Sequence, residues 1–220
     1  MDLEHGTIIQ GDSLEIMRSL RDLSVDAIIT DPPYGQKAGK LGALRGTKSS
    51  TSIAKRTDYG NFTWDNERPA RECFEHIRRL ARVQVIFGGN FFADLLPPSR
   101  CWVCWDKGRR KDFADCELIW TNLDKPARVL NWHYDGCMMA SRQYNKRVHP
   151  TQKPVQVMQW LIEKYTNPGD LILDPFCGSG STLVAAQLSG RRWVGIDLSE
   201  EYCAIARERI AALSPQTSMR

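Results

Sequence analysis

Residues 171–197 read LILDPFCGSGSTLVAAQLSGRRWVGID, and this stretch decides the fold. A short apolar run, Leu171 to Asp174, leads into a glycine-containing turn and then into a helix predicted over about Ser181 to Ser189. Gly190 stops that helix, and a second apolar run follows at Arg192 to Asp197. A strand, a helix and a further strand in this order predict a βαβ unit, in which the two strands are parallel.

The same alternation continues towards the N-terminus, so most of the chain is predicted to build one sheet. Strands are predicted at Thr7 to Gln10, Val25 to Thr30, Val83 to Phe87, Cys101 to Trp105, Glu117 to Thr121 and Arg128 to Trp132. Helices are predicted through Leu14, Met17 and Leu20, through Ala70, Phe74, Ile77 and Ala81, from Pro154, and from Ser199. We therefore predict a doubly wound α/β fold with a mostly parallel, Rossmann-like sheet, in a single domain over residues 1–220.

One connection has the residues of a hairpin turn. Residues 122–126 read NLDKP, and Asn, Asp and Pro are typical turn formers. They lie between the strands predicted at Glu117 to Thr121 and Arg128 to Trp132. We expect these two strands to form a hairpin.

The composition excludes several classes of protein. The chain has 220 residues, a net charge of +4 and 42% hydrophobic residues, which describes a globular domain and not a disordered chain. It contains no run of about 18 apolar residues, so we expect no membrane-spanning helix. The first residues, MDLEH, are acidic and precede no apolar segment, so we expect no secretory signal and a cytoplasmic protein.

The seven cysteines are scattered along the chain, which favours reduced thiols over a disulfide framework. Cys101 and Cys104 form a C-x-x-C pair, for which zinc binding is the alternative to a place in a strand. Their apolar neighbours favour a buried strand whose two thiols point to opposite faces. We therefore expect no metal site.

The positive charge is concentrated in two segments. Residues 35–57 contain six basic residues and no acidic one, among Gly, Ser, Thr and Ala that favour neither helix nor strand. These six are Lys37, Lys40, Arg45, Lys48, Lys55 and Arg56. The second patch comprises Lys107, Arg109, Arg110 and Lys111. A solvated surface is the plain interpretation of such charge, and a functional contact is the alternative.

The turn in the opening stretch, residues 174–180 (DPFCGSG), lies where an open α/β sheet presents a ligand crevice. It matches neither G-x-G-x-x-G nor a P-loop, so neither a dinucleotide nor ATP is supported. Asp174 would repel a pyrophosphate and attract a cation, and Asp197 ends the next strand, where an acid accepts hydrogen bonds from a ribose. A ligand with a ribose, a positive charge and no phosphate is S-adenosylmethionine. A purely structural turn is the alternative.

A second motif, Asp31-Pro32-Pro33-Tyr34, follows the strand predicted at Val25 to Thr30. The two prolines are compatible with a merely structural turn. Alternatively, they fix the Asp31 carboxylate and the Pro32 carbonyl together, so that both accept hydrogen bonds from one amino group. Tyr34 would then offer its ring for stacking on a base.

Together the two motifs resemble those of the amino-methylating DNA methyltransferases of the β group, in which the catalytic motif precedes the cofactor motif in a circularly permuted order. Further matches run from about Ile8 to Tyr202. They are Gly11-Asp12, Trp64-Asp65, Phe87-Gly88-Gly89-Asn90, Trp105-Asp106-Lys107 and the segment 149–154, HPTQKP. The resemblance implies transfer of a methyl group from S-adenosylmethionine to the exocyclic amine of a flipped adenine in duplex DNA.

The resemblance also implies a role for each matching residue. Asp31, Pro32, Pro33 and Tyr34 would form the catalytic site. Phe176, Cys177, Gly178 and Gly180 would line the cofactor pocket, Asp197 would hold the ribose, Asp12 the cofactor adenine, Lys153 the methionine carboxylate, and Asp174 the charged methionine portion. Lys37, Lys40, Arg45, Lys48, Arg109, Arg110 and Lys111 would contact DNA phosphates.

Target recognition is expected in two insertions, at about residues 35–68 and 107–152, and the resemblance suggests a homodimer. Two alternatives stand beside this interpretation. One is methylation of the cytosine amine, although Asp in the first motif position favours adenine in the family. The other is a catalytically silent, nucleic-acid-binding subunit of the same fold, against which the intact motifs argue.

Overall fold

The computed structural model describes residues 3–35, 67–108, 114–132 and 152–213. Its strands are β1 (Thr7–Gln10), β2 (Val25–Thr30), β3 (Ala81–Phe87), β4 (Trp102–Asp106), β5 (Cys116–Thr121), β6 (Arg128–Asn131), β7 (Leu171–Asp174) and β8 (Arg192–Asp197). Its helices are α1 (Ser13–Arg18), α2 (Arg71–Leu80), α3 (Val155–Tyr165), α4 (Ser181–Leu188) and α5 (Glu200–Ala211), with a 3-10 turn at Gly89–Phe92. None of the described helices is both long and apolar enough to cross a membrane.

The eight described strands form one sheet in the order β1-β8-β7-β2-β3-β5-β4-β6. Neighbouring strands are parallel except at β5, which runs antiparallel to both β3 and β4. Helices cover both faces, because alternate residues of the central strands belong to different cores. Ile28 packs with α1 and α2, whereas Ala27 and Ile29 pack with α3, α4 and α5. The predicted doubly wound, mostly parallel α/β fold is confirmed.

The helix boundaries follow from local capping and strand pairing. Ser199 caps α5 by accepting a hydrogen bond from the Tyr202 backbone, as its position before two glutamates predicts. Ala81, predicted on the buried face of a helix, is instead the first residue of β3. The reason is its parallel pairing with Val25 of β2, which extends the backbone immediately after α2.

The hairpin predicted around residues 122–126 is wrong. The chain does reverse there, but β6 passes β5 and pairs in parallel with β4, with Val103 opposite Arg128. Both edges of β5 are already occupied, since Trp120 pairs with Ile86 of β3 on one side and with Trp102 of β4 on the other. The turn residues correctly predicted that the chain reverses. They did not predict which strand β6 pairs with, because that pairing depends on residues far away in the chain.

The sheet has a topological switch point between β7 and β2, which are parallel neighbours. From β7 the chain passes through α4 to β8 on one side, whereas from β2 the next described helix and strand, α2 and β3, lie on the other side. Connections that diverge in this way leave an open crevice at the carboxyl ends of the two strands. Residues 174–180 and residues 31–34 both lie at this crevice.

Candidate active site

The glycine turn, residues 174–180, is held from behind by α5. Gly180 has a left-handed backbone (φ +80°), and a Cβ placed there would lie 2.8 Å from the Cβ of Ala206. Only glycine suits this position, because the backbone conformation and the packing both exclude a side chain. Arg209, also on α5, donates to the Ser179 carbonyl at 2.5 Å. The helix therefore fixes the path of the turn.

Two carboxylates stand at the neighbouring strand ends. Asp197 follows from β8 and accepts from the backbone N–H groups of Gly178 at 2.8 Å and Ser199 at 2.9 Å. Burial raises the pKa of Asp197, and these two hydrogen bonds oppose the rise. Asp12 caps α1 by accepting from the N–H groups of Leu14 and Glu15. The Gly11 N–H donates to the Asp197 carbonyl, so the backbone links the strand ends that carry the two acids. Their predicted contacts with the cofactor ribose and adenine stay predictions.

Asp174 connects the glycine turn to the second motif. It is 2% exposed, and its Oδ1 accepts from the Thr30 hydroxyl at 2.7 Å and from the Phe176 N–H at 3.1 Å. Burial raises the pKa of Asp174 to about 6, although these hydrogen bonds favour the ionised form. Since Thr30 directly precedes Asp31, one hydrogen bond joins the two motifs across the crevice.

Asp31 is the centre of the second motif. The Tyr34 hydroxyl donates to Asp31 Oδ1 at 2.6 Å, and the Lys153 ammonium donates to Oδ2 at 2.6 Å. The Tyr34 ring, predicted to stack on a base, stacks on Phe91 with ring centroids 4.7 Å apart and 20° between planes. Both oxygens of Asp31 are thus engaged, and an incoming hydrogen-bond donor has to share or displace one partner.

Lys153 contacts two carboxylates at once. Its ammonium lies 2.6 Å from Asp31 Oδ2 and 3.4 Å from Glu117 Oε2, and the side chain is 9% exposed. Burial alone would lower the pKa of Lys153, but the two carboxylates raise it well above its ordinary value. The predicted contact of Lys153 with a methionine carboxylate stays a prediction.

Glu117 is a residue of this cluster that sequence reasoning missed, and Lys107, noted only in a basic patch and a supporting motif, is its partner. Glu117 Oε1 lies 2.5 Å from the ammonium of Lys107. Burial would raise the pKa of Glu117, but Lys153 and Lys107 together hold it below its ordinary value. The available signal was a lone carboxylate at the start of the apolar strand β5. Because β5 is antiparallel, its first residues reach the same edge of the sheet as the last residues of β4.

The remaining predicted residues divide into three groups. Pro32 is buried and Pro33 partly buried directly after Asp31. Cys177 lies beneath the turn, where its sulfur would be 2.9 Å from a Cβ on Gly195, and burial raises the pKa of its thiol. The predicted DNA contacts Lys37, Lys40, Arg45, Lys48, Arg109, Arg110 and Lys111 lie outside the described residues.

The cysteine pair does not converge on one point. The sulfur of Cys101 lies 3.7 Å from the Tyr165 hydroxyl, on the face covered by α3. Cys104 on β4 interacts with Cys116 on the adjacent strand β5, and burial raises the pKa of Cys104 to about 11. Within residues 3–35, 67–108, 114–132 and 152–213, no group of three or more His, Cys, Asp or Glu side chains is arranged to hold a metal ion.

The insertion predicted at residues 107–152 contributes to the sheet in its described part. β5 and β6 belong to it, and they complete the sheet on the side of β3. Glu117 enters the site from this segment. Most of the insertion predicted at residues 35–68 lies outside the described residues.

Comparison with known proteins agrees with this geometry. A family model described as DNA methylase, for N6 and N4 modification, matches residues 106–208. YubD of Escherichia coli (strain K12), a protein whose name assigns it to the methylases, is 31% identical over 231 residues, covering 93% of this chain and 90% of YubD.

Solved structures share the fold. The M1.HpyAVI–SAM complex superposes with a TM-score of 0.58 at 23% identity, covering 93% of this chain and 98% of that one. The PvuII DNA methyltransferase, which is cytosine-N4-specific, superposes with a TM-score of 0.60 at 17% identity, covering 94% of this chain and 86% of that one.

Proposed function

The chain belongs to the N6/N4 DNA methylase family, and from this premise we propose that it methylates the exocyclic amine of a flipped adenine in duplex DNA. As in the family, the methyl donor is S-adenosylmethionine, which supplies the methyl group and a neutral thioether leaving group. The adenine target, base flipping and the double-stranded substrate are our proposals. We also propose a cytoplasmic location, with which a DNA substrate is compatible.

One observation carries the proposal. The carboxylate that would accept the target amine, Asp31, and the turn that would hold the methyl donor are at the ends of adjacent parallel strands, β2 and β7. The Thr30–Asp174 hydrogen bond ties these ends together. Acceptor and donor sites built on rigid neighbouring strands can align a nucleophile with a methyl group, which accounts for much of the rate enhancement in such transfers.

The residues of the crevice fit S-adenosylmethionine. Asp197 and Asp12 offer carboxylate oxygens at the ends of β8 and β1, where ribose hydroxyls and an adenine amine would donate. Asp174 offers negative charge on the side of the sulfonium, although its pKa of about 6 makes that charge depend on pH. The turn lacks the Gly-Lys-Ser/Thr ending of a phosphate-binding P-loop. The donor set therefore suits a cationic nucleoside.

The chemistry required of Asp31 is orientation. The lone pair of an exocyclic amine is delocalised into the base and is a weak nucleophile. Hydrogen bonds from the amine to Asp31 and to the Pro32 carbonyl favour the geometry in which the lone pair points at the methyl carbon. The amine gains positive charge as the N–C bond forms and the donor C–S bond breaks, and the nearby carboxylate stabilises that charge. The methylated nitrogen then releases one proton to water.

The partner proposed for the enzyme is double-stranded DNA. A base inside a duplex cannot reach a crevice at the end of a sheet, so the target base has to be extruded. Phe91 and Tyr34 already form a stacked aromatic pair at the site, and Tyr34 would stack on the extruded base. The basic residues at 37–48 and 109–111 are proposed to contact phosphates, within recognition insertions at about 35–68 and 107–152. Dimerisation stays a prediction.

The test is methyl transfer from labelled S-adenosylmethionine to duplex DNA of mixed sequence, followed by digestion and mass identification of the modified nucleoside. We expect N6-methyladenine. N4-methylcytosine would replace adenine by cytosine as the target, and a lack of incorporation into any duplex would favour a silent binding subunit.

Two aspartate variants make the test specific. Asp31→Ala is expected to abolish incorporation while S-adenosylmethionine still binds, because the glycine turn is untouched. The matched control is Asp124→Ala, which removes an exposed carboxylate paired with Arg100. It is expected to retain the full rate.

A further inference from the structure

A chain of four alternating charges runs from the site into the sheet. It begins at Asp31, continues through Lys153 and Glu117, and ends at Lys107. The two carboxylates and two ammonium groups cancel in charge, as buried ionised groups require. Asp31 would accept the target amine and Lys153 is predicted to contact the methionine carboxylate, but neither role explains why Lys153 lies between two carboxylates or why Glu117 and Lys107 are present.

The contacts of Lys153 are unequal. Its ammonium donates to Asp31 Oδ2 at 2.6 Å, whereas Glu117 Oε2 is 3.4 Å away. Glu117 Oε2 is buried and has no hydrogen-bond partner among the described residues. Lys107 holds the other oxygen, Oε1, at 2.5 Å, and so keeps Oε2 turned towards Lys153. The ion pair of Oε2 with Lys153, at 3.4 Å, is longer than a close charged hydrogen bond, so a nearer approach of the ammonium would compensate this buried oxygen better.

The target amine has to share an oxygen of Asp31 with a donor that is already bound to it, because each oxygen accepts from one group in the empty site. Tyr34 takes Oδ1 of Asp31 and Lys153 takes Oδ2. An ammonium beside the amine would also oppose the reaction, because the amine becomes positively charged as it is methylated. Moving onto Glu117 Oε2 requires a shift of less than about 1 Å, since charged N–H···O bonds are about 2.7–2.9 Å long.

We propose that Lys153 switches between two carboxylates: it pairs with Asp31 in the empty site and moves to Glu117 when the target amine takes its place. Glu117 is then a positioning residue, which acts on Asp31 through Lys153, and Lys107 holds Glu117 ready. The inference rests on the proposed function for the amine, while the shared ammonium itself is a property of the free protein.

The charged and titratable groups that face Asp31 come from four elements. In the described part of the chain they are Tyr34 from its own loop, Lys153 before α3, Glu117 on β5 and Asp174 on β7. Burial raises the pKa of Asp31, Lys153 lowers it, and Glu117 raises it. Removing the charge of Glu117 therefore lowers the pKa of Asp31, because Asp31 loses a like charge and keeps the ammonium.

Glu117→Gln tests the switch, because the amide has nearly the same shape and no charge to draw Lys153 away. In the free protein, carboxyl NMR of Asp31 should show a lower pKa than in the wild type. In methyl transfer, kcat should fall about 10-fold or more, its acid limb should move to lower pH, and the affinity for S-adenosylmethionine should be unchanged. Glu163→Gln, an exposed change on α3 where Glu163 bonds to Gln159, should alter none of these.

A double variant separates the switch from a simple structural role. Lys153→Gln should also lower kcat, and adding Glu117→Gln to it should cause little further loss, because Glu117 acts through Lys153. Losses that multiply in the double variant would overturn the switch, as would an unchanged Asp31 pKa in Glu117→Gln. A wild-type protein that methylates no duplex would refute the proposed function, and with it the amine as trigger. The NMR titration would still decide whether the ammonium is shared.

Discussion

At the scale of one residue, Asp174 both stabilises the site through a hydrogen bond and destabilises the fold when it ionises in a buried position. One of its two oxygens, Oδ1, joins β7 to β2, yet burial raises the pKa of Asp174 from 3.8 to about 6. An acid whose pKa is higher in the folded state destabilises that state as it ionises. The penalty is absent below the unfolded pKa near 3.8 and complete above the folded pKa near 6.

We therefore predict that the Asp174→Asn variant gains stability relative to the wild type as the pH rises. Asparagine keeps an oxygen that accepts from Thr30 and Phe176 but never ionises. The difference in unfolding free energy, variant minus wild type, should increase by up to about 3 kcal/mol between pH 3.5 and pH 7. Urea denaturation at both pH values measures it, with Asp124→Asn as an exposed control. A difference that stays constant across this range would contradict the raised pKa.

Gly88 controls the placement of Tyr34. It has a left-handed backbone (φ +62°) at the end of β3, and an added Cβ would lie 2.4 Å from Cε1 of Tyr34. Gly88→Ala should therefore push Tyr34 away from Asp31. We expect methyl transfer to fall roughly 10-fold to 100-fold, because small displacements of a positioning group are costly.

Gly190 supplies the matched control for this prediction. Its backbone is also left-handed (φ +68°), but an added Cβ meets nothing within 4 Å. Both alanine variants should lose about 1–3 kcal/mol of stability to backbone strain. Only Gly88→Ala should lose activity per folded molecule, and equal activity in the two variants would refute the role of the close approach.

At the scale of elements, α5 acts as the support of the glycine turn. Burial lowers the pKa of Arg209 to about 10, so the guanidinium remains charged at neutral pH while it donates to the Ser179 carbonyl. Arg209→Met removes this donor and leaves the Ser179 carbonyl buried without it, which should lower the free energy of unfolding by about 1–3 kcal/mol. Because we propose that the turn forms the cofactor pocket, the affinity for S-adenosylmethionine should fall roughly 10-fold or more, as measured by calorimetry.

Arg192→Met is the control for the support role. Arg192 donates to the Gly169 carbonyl at 2.8 Å, at the opposite end of the strands. This variant also removes a bond from arginine to a backbone carbonyl, yet it should bind S-adenosylmethionine normally. If Arg209→Met and Arg192→Met bind S-adenosylmethionine with equal affinity, α5 does not position the glycine turn through Arg209.

The elements show what sequence alone can predict. The βαβ unit from Leu171 to Asp197 was predictable, because strand, turn and helix signals there are local. The position of β6 beside β4 was not, because it depends on β3 and β4 occupying both edges of β5. Glu117 was missed for the same reason: its contact with Lys153 arises from the antiparallel direction of β5. Local signals identify the elements, and distant pairings complete the site.

At the scale of the whole molecule, acidic and basic residues are concentrated in different places: the acidic ones at the proposed cofactor site, and the basic ones in the segments proposed to contact DNA. The carboxylates Asp12, Asp174 and Asp197 lie at or just after the ends of β1, β7 and β8, where we propose that they face a cationic ligand. The net charge of +4 depends instead on segments that interrupt the sheet, since residues 35–57 alone hold six basic residues and no acidic one. Phosphate contacts release counterions, so these segments should control the salt dependence of DNA binding and leave the binding of S-adenosylmethionine unchanged.

Neutralising Lys37, Lys40, Arg45 and Lys48 to glutamine should therefore weaken duplex binding and flatten its salt dependence. The slope of log K against log salt should decrease by up to about 3 to 4, at about 0.9 for each phosphate that the variant no longer neutralises. The matched control neutralises Lys125, Arg128, Lys164 and Arg192. These residues lie towards the amino ends of the parallel strands, away from Asp31. Both variants lose four positive charges, so a general effect of net charge would change both slopes equally. A slope that falls only in the first variant assigns phosphate contacts to the segment that follows the Asp31-Pro32-Pro33-Tyr34 motif in the sequence.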